Sequence, residues 1–177
     1  AHARAHISMY PMKRSAQVSA APHPIPKTAG RRVQVRRSGV HGKGVFALQA
    51  LRAGESVIEY LGEVITWKEA LRRHPHDPQQ PNHTFYFHID DKHVIDANVG
   101  GNAARWINHA CETNCEADEE GGRVFIKATR DIAPGEELFY DYGLVIDEKL
   151  TKALKKEYPC HCGSERCRGT LLAPKRR

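Results

Sequence analysis

Apolar and polar residues first alternate clearly around Val33 and Val35, the period-two pattern of a half-exposed strand. Residues 56–65 are rich in β-branched side chains, and Gly62 among them predicts a bulge or bend. Residues 67–74 read as a short helix. Residues 74–82 carry three prolines, a density that breaks both helix and sheet and predicts a loop. Residues 85–90 and 93–96 predict two strands around an Asp90-Asp91-Lys92 turn. Residues 102–109 fit a short helix with Asn102 as N-cap. Strands are expected at 123–129 and 137–142, separated by the turn Ala133-Pro134-Gly135. Residues 148–158 read as helical, and residues 160–169 cannot bury a core by themselves. With no internal repeat, this pattern predicts a mostly β domain with short helices and irregular loops.

Residues 1–30 lack periodicity and are rich in Ala, Pro, His and Ser, so they are expected to form a flexible or extended arm. The remainder divides into a central β domain, 31–147, and a C-terminal helix with a cysteine-rich, basic tail, 148–177. The chain starts with Ala, so a fragment is expected, with part of residues 1–10 tag-derived. The 177 residues suffice for one cored domain, and 40% hydrophobic with 27% charged content excludes outright disorder. No apolar run approaches membrane-spanning length and no signal peptide is legible, which predicts an intracellular protein.

Charge adds one feature. The formal net charge is +6, and much of the excess sits at the ends, at Lys13, Arg14, Lys27, Arg31, Arg32, Arg36 and Arg37, then Lys155, Lys156, Lys175, Arg176 and Arg177. Such ends either form a solvated surface or bring the protein near nucleic acid, without any sequence readout. There are five cysteines, an odd count without a secretion signal, which favours metal-held thiolates over disulfides.

Gly42-Lys43-Gly44-Val45-Phe46-Ala47 fits the loose glycine fingerprint of dinucleotide-binding folds. The context excludes that reading. The preceding strand alternates, unlike a buried parallel strand, and Gly54 cuts short any following helix. The glycines still indicate a close backbone approach.

Taken together, four segments carry more information: Gly42 to Ala47, Tyr60-Leu61-Gly62-Glu63, Arg105-Trp106-Ile107-Asn108-His109-Ala110-Cys111-Glu112-Thr113-Asn114, and Gly135-Glu136-Glu137-Leu138-Phe139-Tyr140-Asp141-Tyr142-Gly143. In order and spacing they resemble the signature segments of SET-domain protein lysine methyltransferases. Cys160-His161-Cys162-Gly163-Ser164-Glu165-Arg166-Cys167 resembles the post-SET cysteine motif. The similarity runs from about Val33 to Leu172 and is nearest in flavour to the trithorax/MLL-like group. It implies a β-clip SET fold with a C-terminal pseudoknot and a small zinc-bound post-SET tail.

The resemblance also implies chemistry. S-adenosylmethionine would donate a methyl group to a neutral lysine amine, leaving S-adenosylhomocysteine. Tyr142 corresponds to the family's catalytic tyrosine. Tyr60 and Tyr140 would line the lysine channel, with Phe87 completing its apolar wall; the alternative is that these aromatics are ordinary sheet-core residues. Tyr140 occupies a Phe/Tyr switch position and implies mainly monomethylation. Asn108 and His109 would meet the donor, as would a loop containing His41, Gly42, Lys43, Gly44 and Phe46. Arg105 would pair with a carboxylate, the donor's or a protein Glu. Phe85 stands where relatives often have Tyr, Trp106 replaces Phe, and Ala110 replaces Ser.

The spacing of Cys160, Cys162 and Cys167 offers three thiolates from one short loop, suited to a structural zinc. The resemblance assigns the fourth place to Cys111, with Cys115 left over and His161 a second choice. The expected substrate is a histone or other lysine-containing basic protein, bound as an extended strand at a sheet edge. The setting would be chromatin in a eukaryote or an invaded host, or the cytoplasm or nucleoid of a bacterium. The rival readings are a non-catalytic chromatin- or nucleic-acid-binding module on the same scaffold, and a methyltransferase of a non-histone protein.

Overall fold

The computed structural model describes residues 7–9, 30–74, 85–146 and 149–174. Its strands are β1 (Ile7–Met9), β2 (Val33–Arg37), β3 (Lys43–Ala47), β4 (Ser56–Glu59), β5 (Glu63–Thr66), β6 (Tyr86–His88), β7 (His93–Asp96), β8 (Asn108–His109), β9 (Cys115–Glu120), β10 (Arg123–Ala128), β11 (Phe139–Tyr140) and β12 (Leu144–Ile146). Two short helices, α1 (Trp67–Arg73) and α2 (Lys152–Glu157), and one 3-10 turn at Ala103–Trp106 complete the set. The expected mostly β architecture is present. The proline-rich loop, except His74, lies outside the described residues, as do Lys13, Arg14, Lys27 and residues 175–177. No described helix is long and apolar enough to cross a membrane.

The strands form several small sheets rather than one large one. Two are three-stranded, in the orders β4-β10-β9 and β5-β7-β6. Three are pairs: β2 with β3, β1 with β12, and β8 with β11. Among the described strand pairs only β8 and β11 run parallel, Asn108 beside Phe139 and His109 beside Tyr140. A parallel pair needs a long crossover, and here it carries the whole β9–β10 hairpin.

The main core packs Val45, Leu51, Ile107, Val124, Ile126, Ile132 and Leu138, each at most 1% exposed. A second cluster joins Leu144 and Ile146 to the C-terminal Leu154, Tyr158 and Leu172. Tyr142 packs against both. The tail is therefore fastened to the body by apolar contact.

Several elements depart from the sequence expectations. Gly44 and Phe46 lie in strand β3, with Lys43 as its first residue, so only His41 and Gly42 of the expected loop precede it. A strand, not a helix, follows the glycines, which confirms the exclusion of a dinucleotide fold. Residues 102–109 do not form a continuous helix. Asn102 caps as expected, accepting from the Ala104 N–H at 3.2 Å. The helix ends after one 3-10 turn because Ile107 is extended and residues 108–109 pair with β11. Strand β11 is correspondingly short, and α2 is shorter than the expected 148–158. Helix α1 matches its expected span to within a residue. Its Thr66 cap accepts from the Glu69 N–H at 3.2 Å, a contact of about 1 kcal/mol.

The bend at Gly62 has a steric cause. A Cβ there would lie 2.6 Å from the Asp96 carbonyl oxygen and 2.8 Å from the Ala97 Cα. Gly62→Ala should cost about 1–3 kcal/mol through overpacking, lowering Tm by roughly 2–12 °C in a thermal melt. An unchanged melt would show that residues 95–97 yield instead.

Candidate active site

Four aromatic rings from three separate segments meet in one group. Tyr60 follows β4, Phe87 lies in β6, Tyr140 in β11 and Tyr142 just beyond it. Ring centroids are 5.1 Å apart for Tyr60 and Phe87, 6.3 Å for Phe87 and Tyr140, and 5.0 Å for Tyr140 and Tyr142. The two-residue spacing of Tyr140 and Tyr142 along an extended segment puts both rings on one side.

Two of the hydroxyls are anchored. Tyr60 donates to the Phe85 carbonyl at 3.2 Å, and Tyr142 donates to the Ile107 carbonyl at 2.7 Å. The Tyr140 hydroxyl makes no hydrogen bond to the described residues. Burial pushes all three phenols above their ordinary range. They remain protonated at neutral pH and offer hydrogen bonds and dipoles rather than tyrosinate bases.

Strand β8 forms the adjoining wall. The Asn108 side-chain amide is 2.9 Å from the Lys43 carbonyl, 3.3 Å from the His41 carbonyl and 3.1 Å from Glu137 Oε1. It thereby ties the glycine loop to β8. Gly42 supplies the positive φ of that loop, +46°. At Gly44 a Cβ would fall 2.0 Å from Glu137 Oε1, so the missing side chain makes room for a carboxylate.

His109 is buried, which holds its imidazole neutral with a pKa down to about 4. Its Nδ1 accepts the Tyr142 N–H at 3.1 Å. That bond assigns the proton to Nε2, which faces Cys111 Sγ at 3.6 Å.

Cations and aromatic faces collect on the other side of the glycine loop. The Lys43 ammonium lies 4.4 Å from the Trp106 ring centre, and the Arg105 guanidinium lies 4.8 Å from the same ring and 5.4 Å from Phe85. Phe85 and Trp106 meet edge-on at 4.9 Å. Arg105 donates to the Ala97 carbonyl at 2.9 Å, and no described carboxylate pairs with it. Phe46 stands apart from this group, under the Arg36 guanidinium at 5.1 Å. Two cations beside flat rings and open backbone suit a ligand with both a carboxylate and an aromatic base.

The sulfur atoms of Cys111, Cys160, Cys162 and Cys167 all lie within 4.8 Å of one another. Cys111 Sγ is 3.8 Å from Cys160 Sγ and 4.0 Å from Cys167 Sγ. Four thiolates about 2.3 Å from a tetrahedral zinc would stand about 3.8 Å apart, so the residues fit that metal. Cys115 is not in the group. It is buried in β9, where burial pushes its thiol up to about 12. His161 is exposed and also outside the group.

Three contributors were not legible in the sequence. Asn114, 2% exposed, donates to the Glu137 carbonyl at 2.8 Å and accepts the Phe139 N–H at 2.8 Å, fixing the entry to β11. Asp141 and Arg168 form a two-pronged ion pair, both bonds 2.6 Å, between the tyrosine segment and the cysteine tail. The available signals were that Asn114 closes the third quoted segment, that Asp141 lies within the fourth, and that Arg168 directly follows the cysteine motif. The pair spans 27 residues and leaves no local pattern.

Residues 42–143 match the family model described as the SET domain. The chain is 41% identical over 151 residues to human "Histone-lysine N-methyltransferase 2B", covering 83% of this chain and 5% of that protein. It is 43% identical over 144 residues to "Histone-lysine N-methyltransferase trithorax" of Drosophila virilis, covering 78% and 4%. With "Histone-lysine N-methyltransferase set1" of Dictyostelium discoideum it shares 38% identity over 150 residues, covering 82% and 10%. The chain thus spans a small fraction of the length of these relatives.

Proposed function

The chain belongs to the SET-domain family, and on that premise we propose that it methylates lysine side chains of histones or histone-like proteins with S-adenosylmethionine as donor. The observation that carries this reading is the four-ring group, anchored at Tyr142 by His109 and Ile107 and set beside the glycine loop. The relatives' names supply the histone substrate, and chromatin would be the place of action.

When bound, S-adenosylmethionine supplies an electrophilic methyl group on a cationic sulfur. His41, Gly42, Lys43, Gly44, Phe46, Phe85, Arg105, Asn108 and His109 would hold it, with Lys43 and Arg105 matching its carboxylate. Phe46 is the weakest member of that set, given its contact with Arg36. Strand β6 is an outer strand of its sheet and carries Phe87. A peptide adding along that edge would direct a lysine into the rings. The rings exclude water, and desolvation beside a positive sulfur favours the neutral amine. The ammonium proton goes to solvent before transfer, since the phenols cannot take it. The ring group would hold the neutral amine in line with the donor's methyl carbon, so that the amine lone pair makes the new bond while the donor sulfur would keep the electron pair of the broken one. In-line alignment supplies much of the rate. The Tyr142 oxygen, its proton engaged by Ile107, can turn lone pairs toward the methyl C–H bonds.

The Tyr140 hydroxyl has no described protein partner, so it is available to hold a water or the amine. Occupying that space restricts a second methylation and gives a mainly monomethylated product. Zinc in the four-cysteine group would join the tail to β8 and wall the channel.

A radiolabel assay on histone and non-histone panels should show transfer by the chain, and Tyr142→Phe should abolish most of it. Absence of transfer to every lysine substrate would favour the non-catalytic binding module. Tyr140→Phe should shift products toward di- and trimethyl-lysine in a mass-spectrometric time course; an unchanged product ratio removes the specificity role. Native mass spectrometry should find one zinc per chain. Its chelation, or Cys162→Ser, should disorder the tail and stop transfer, whereas full activity after verified zinc loss would overturn the metal's role.

A further inference from the structure

Arg168 directly follows the last cysteine of the tail and makes contacts in three directions. Its main-chain N–H points at Cys111 Sγ, 3.4 Å away. Its Nε and Nη2 donate to the Thr170 and Leu171 carbonyls at 3.1 and 3.3 Å, which shapes the chain's final turn. Its two terminal nitrogens grip the Asp141 carboxylate at 2.6 Å each. A bidentate guanidinium–carboxylate pair fixes orientation as well as distance.

Asp141 stands between the two tyrosines of the ring group. Its Oδ1 also accepts the Gly143 N–H at 2.9 Å and lies 3.4 Å from His109 Nδ1. Burial alone would raise the carboxyl, but the Arg168 bonds and the Gly143 N–H outweigh it and keep Asp141 ionised. His109 in turn holds the Tyr142 N–H and faces Cys111. Two arms therefore run from Cys111, one through His109 to the Tyr142 N–H and one through Arg168 to Asp141, the residue next to Tyr142 in the chain.

We propose that Arg168 and Asp141 are positioning residues that set the placement of Tyr142 by coupling the cysteine tail to the 141–143 backbone, an inference that rests on the methyltransferase reading above. Apolar packing of Leu172 and Leu154 already holds the tail against the body. The ion pair is therefore not needed to keep the tail attached. Its consequence is the orientation of the segment on either side of Asp141.

The test uses the zinc-loaded 177-residue chain and the variants Arg168→Ala, Arg168→Lys, Asp141→Asn and the Arg168→Ala/Asp141→Asn double. Each of Arg168→Ala and Asp141→Asn should lower kcat by about 10- to 100-fold, the cost of misplacing a reacting group by ~1 Å. The double variant should be no slower than the worse single, because both remove one interaction. Arg168→Lys keeps the charge without the fork and should fall between wild type and Arg168→Ala. Zinc content should stay within about twofold, since Arg168→Ala keeps the main-chain N–H that faces Cys111 and the Asp141 side chain meets none of the four cysteines. Hydrogen exchange in residues 138–146 should quicken in every variant. Unchanged kcat, multiplicative losses in the double, or loss of zinc along with activity would each overturn the proposal. If the wild-type chain binds zinc and transfers no methyl group, the functional reading fails on its own. The exchange measurement then still decides the coupling, since unchanged protection of 138–146 refutes it.

Discussion

The parallel pairing of Asn108 and His109 with Phe139 and Tyr140 is the constraint on which the site depends. It is only two residues long, yet each partner segment carries different chemistry. One side presents the Asn108 amide to the glycine loop and places Cys111 beside the tail cysteines. The other delivers Tyr140 and Tyr142 to the aromatic group. Asn114 locks the approach with two bonds at 2.8 Å, and His109 bridges the strands by accepting the Tyr142 N–H. Because the ladder is so short, these side-chain bonds hold its register. The neutral His109 tautomer is part of the same arrangement, since a single ring meets a backbone amide on one edge and a cysteine sulfur on the other.

Burial and charge are divided cleanly between the two halves of the site. The rings of the aromatic half are uncharged: its phenols are buried and pushed upward. The half along the glycine loop holds Lys43, Arg105 and the Glu137 carboxylate, the last seated where Gly44 lacks a side chain. A buried group of neutral rings thus adjoins a segment that carries charge and backbone carbonyls.

Much of this was legible in the sequence where local pattern and local structure agree. Alternation revealed β2, β-branched residues revealed β4 and β5, and the Gly62 bend between them has its steric cause in residues 95–97. The aromatic group and the cysteine cluster were also found, because resemblance linked segments that local pattern cannot. Strand β9 was hidden because Cys-Glu-Ala-Asp-Glu-Glu has little β propensity. It forms through pairing with β10, helped by the Lys127 ammonium between Asp118 and Glu120. Strand β3 looked like a glycine turn until β2 supplied a partner. Asn108 and His109 looked helical because the ladder that extends them lies far along the chain. Arg168 and Asp141 were invisible for the same reason: only the folded chain makes them neighbours.

The separation of the site's parts along the chain has a kinetic side. Hairpins such as β9–β10 close short loops and can form early. The His109–Tyr142 bond joins residues 33 apart, and the Cys111–Cys160 contact joins residues 49 apart. Such contacts must await much of the body and carry a larger closure entropy. The local openings of least cost are then those that release the tail and part the two-residue β8–β11 pair while the larger sheets stay intact. The molecule can lose its working centre well before it loses its shape, so a folded-looking spectrum is a poor guide to how many molecules in a sample are competent.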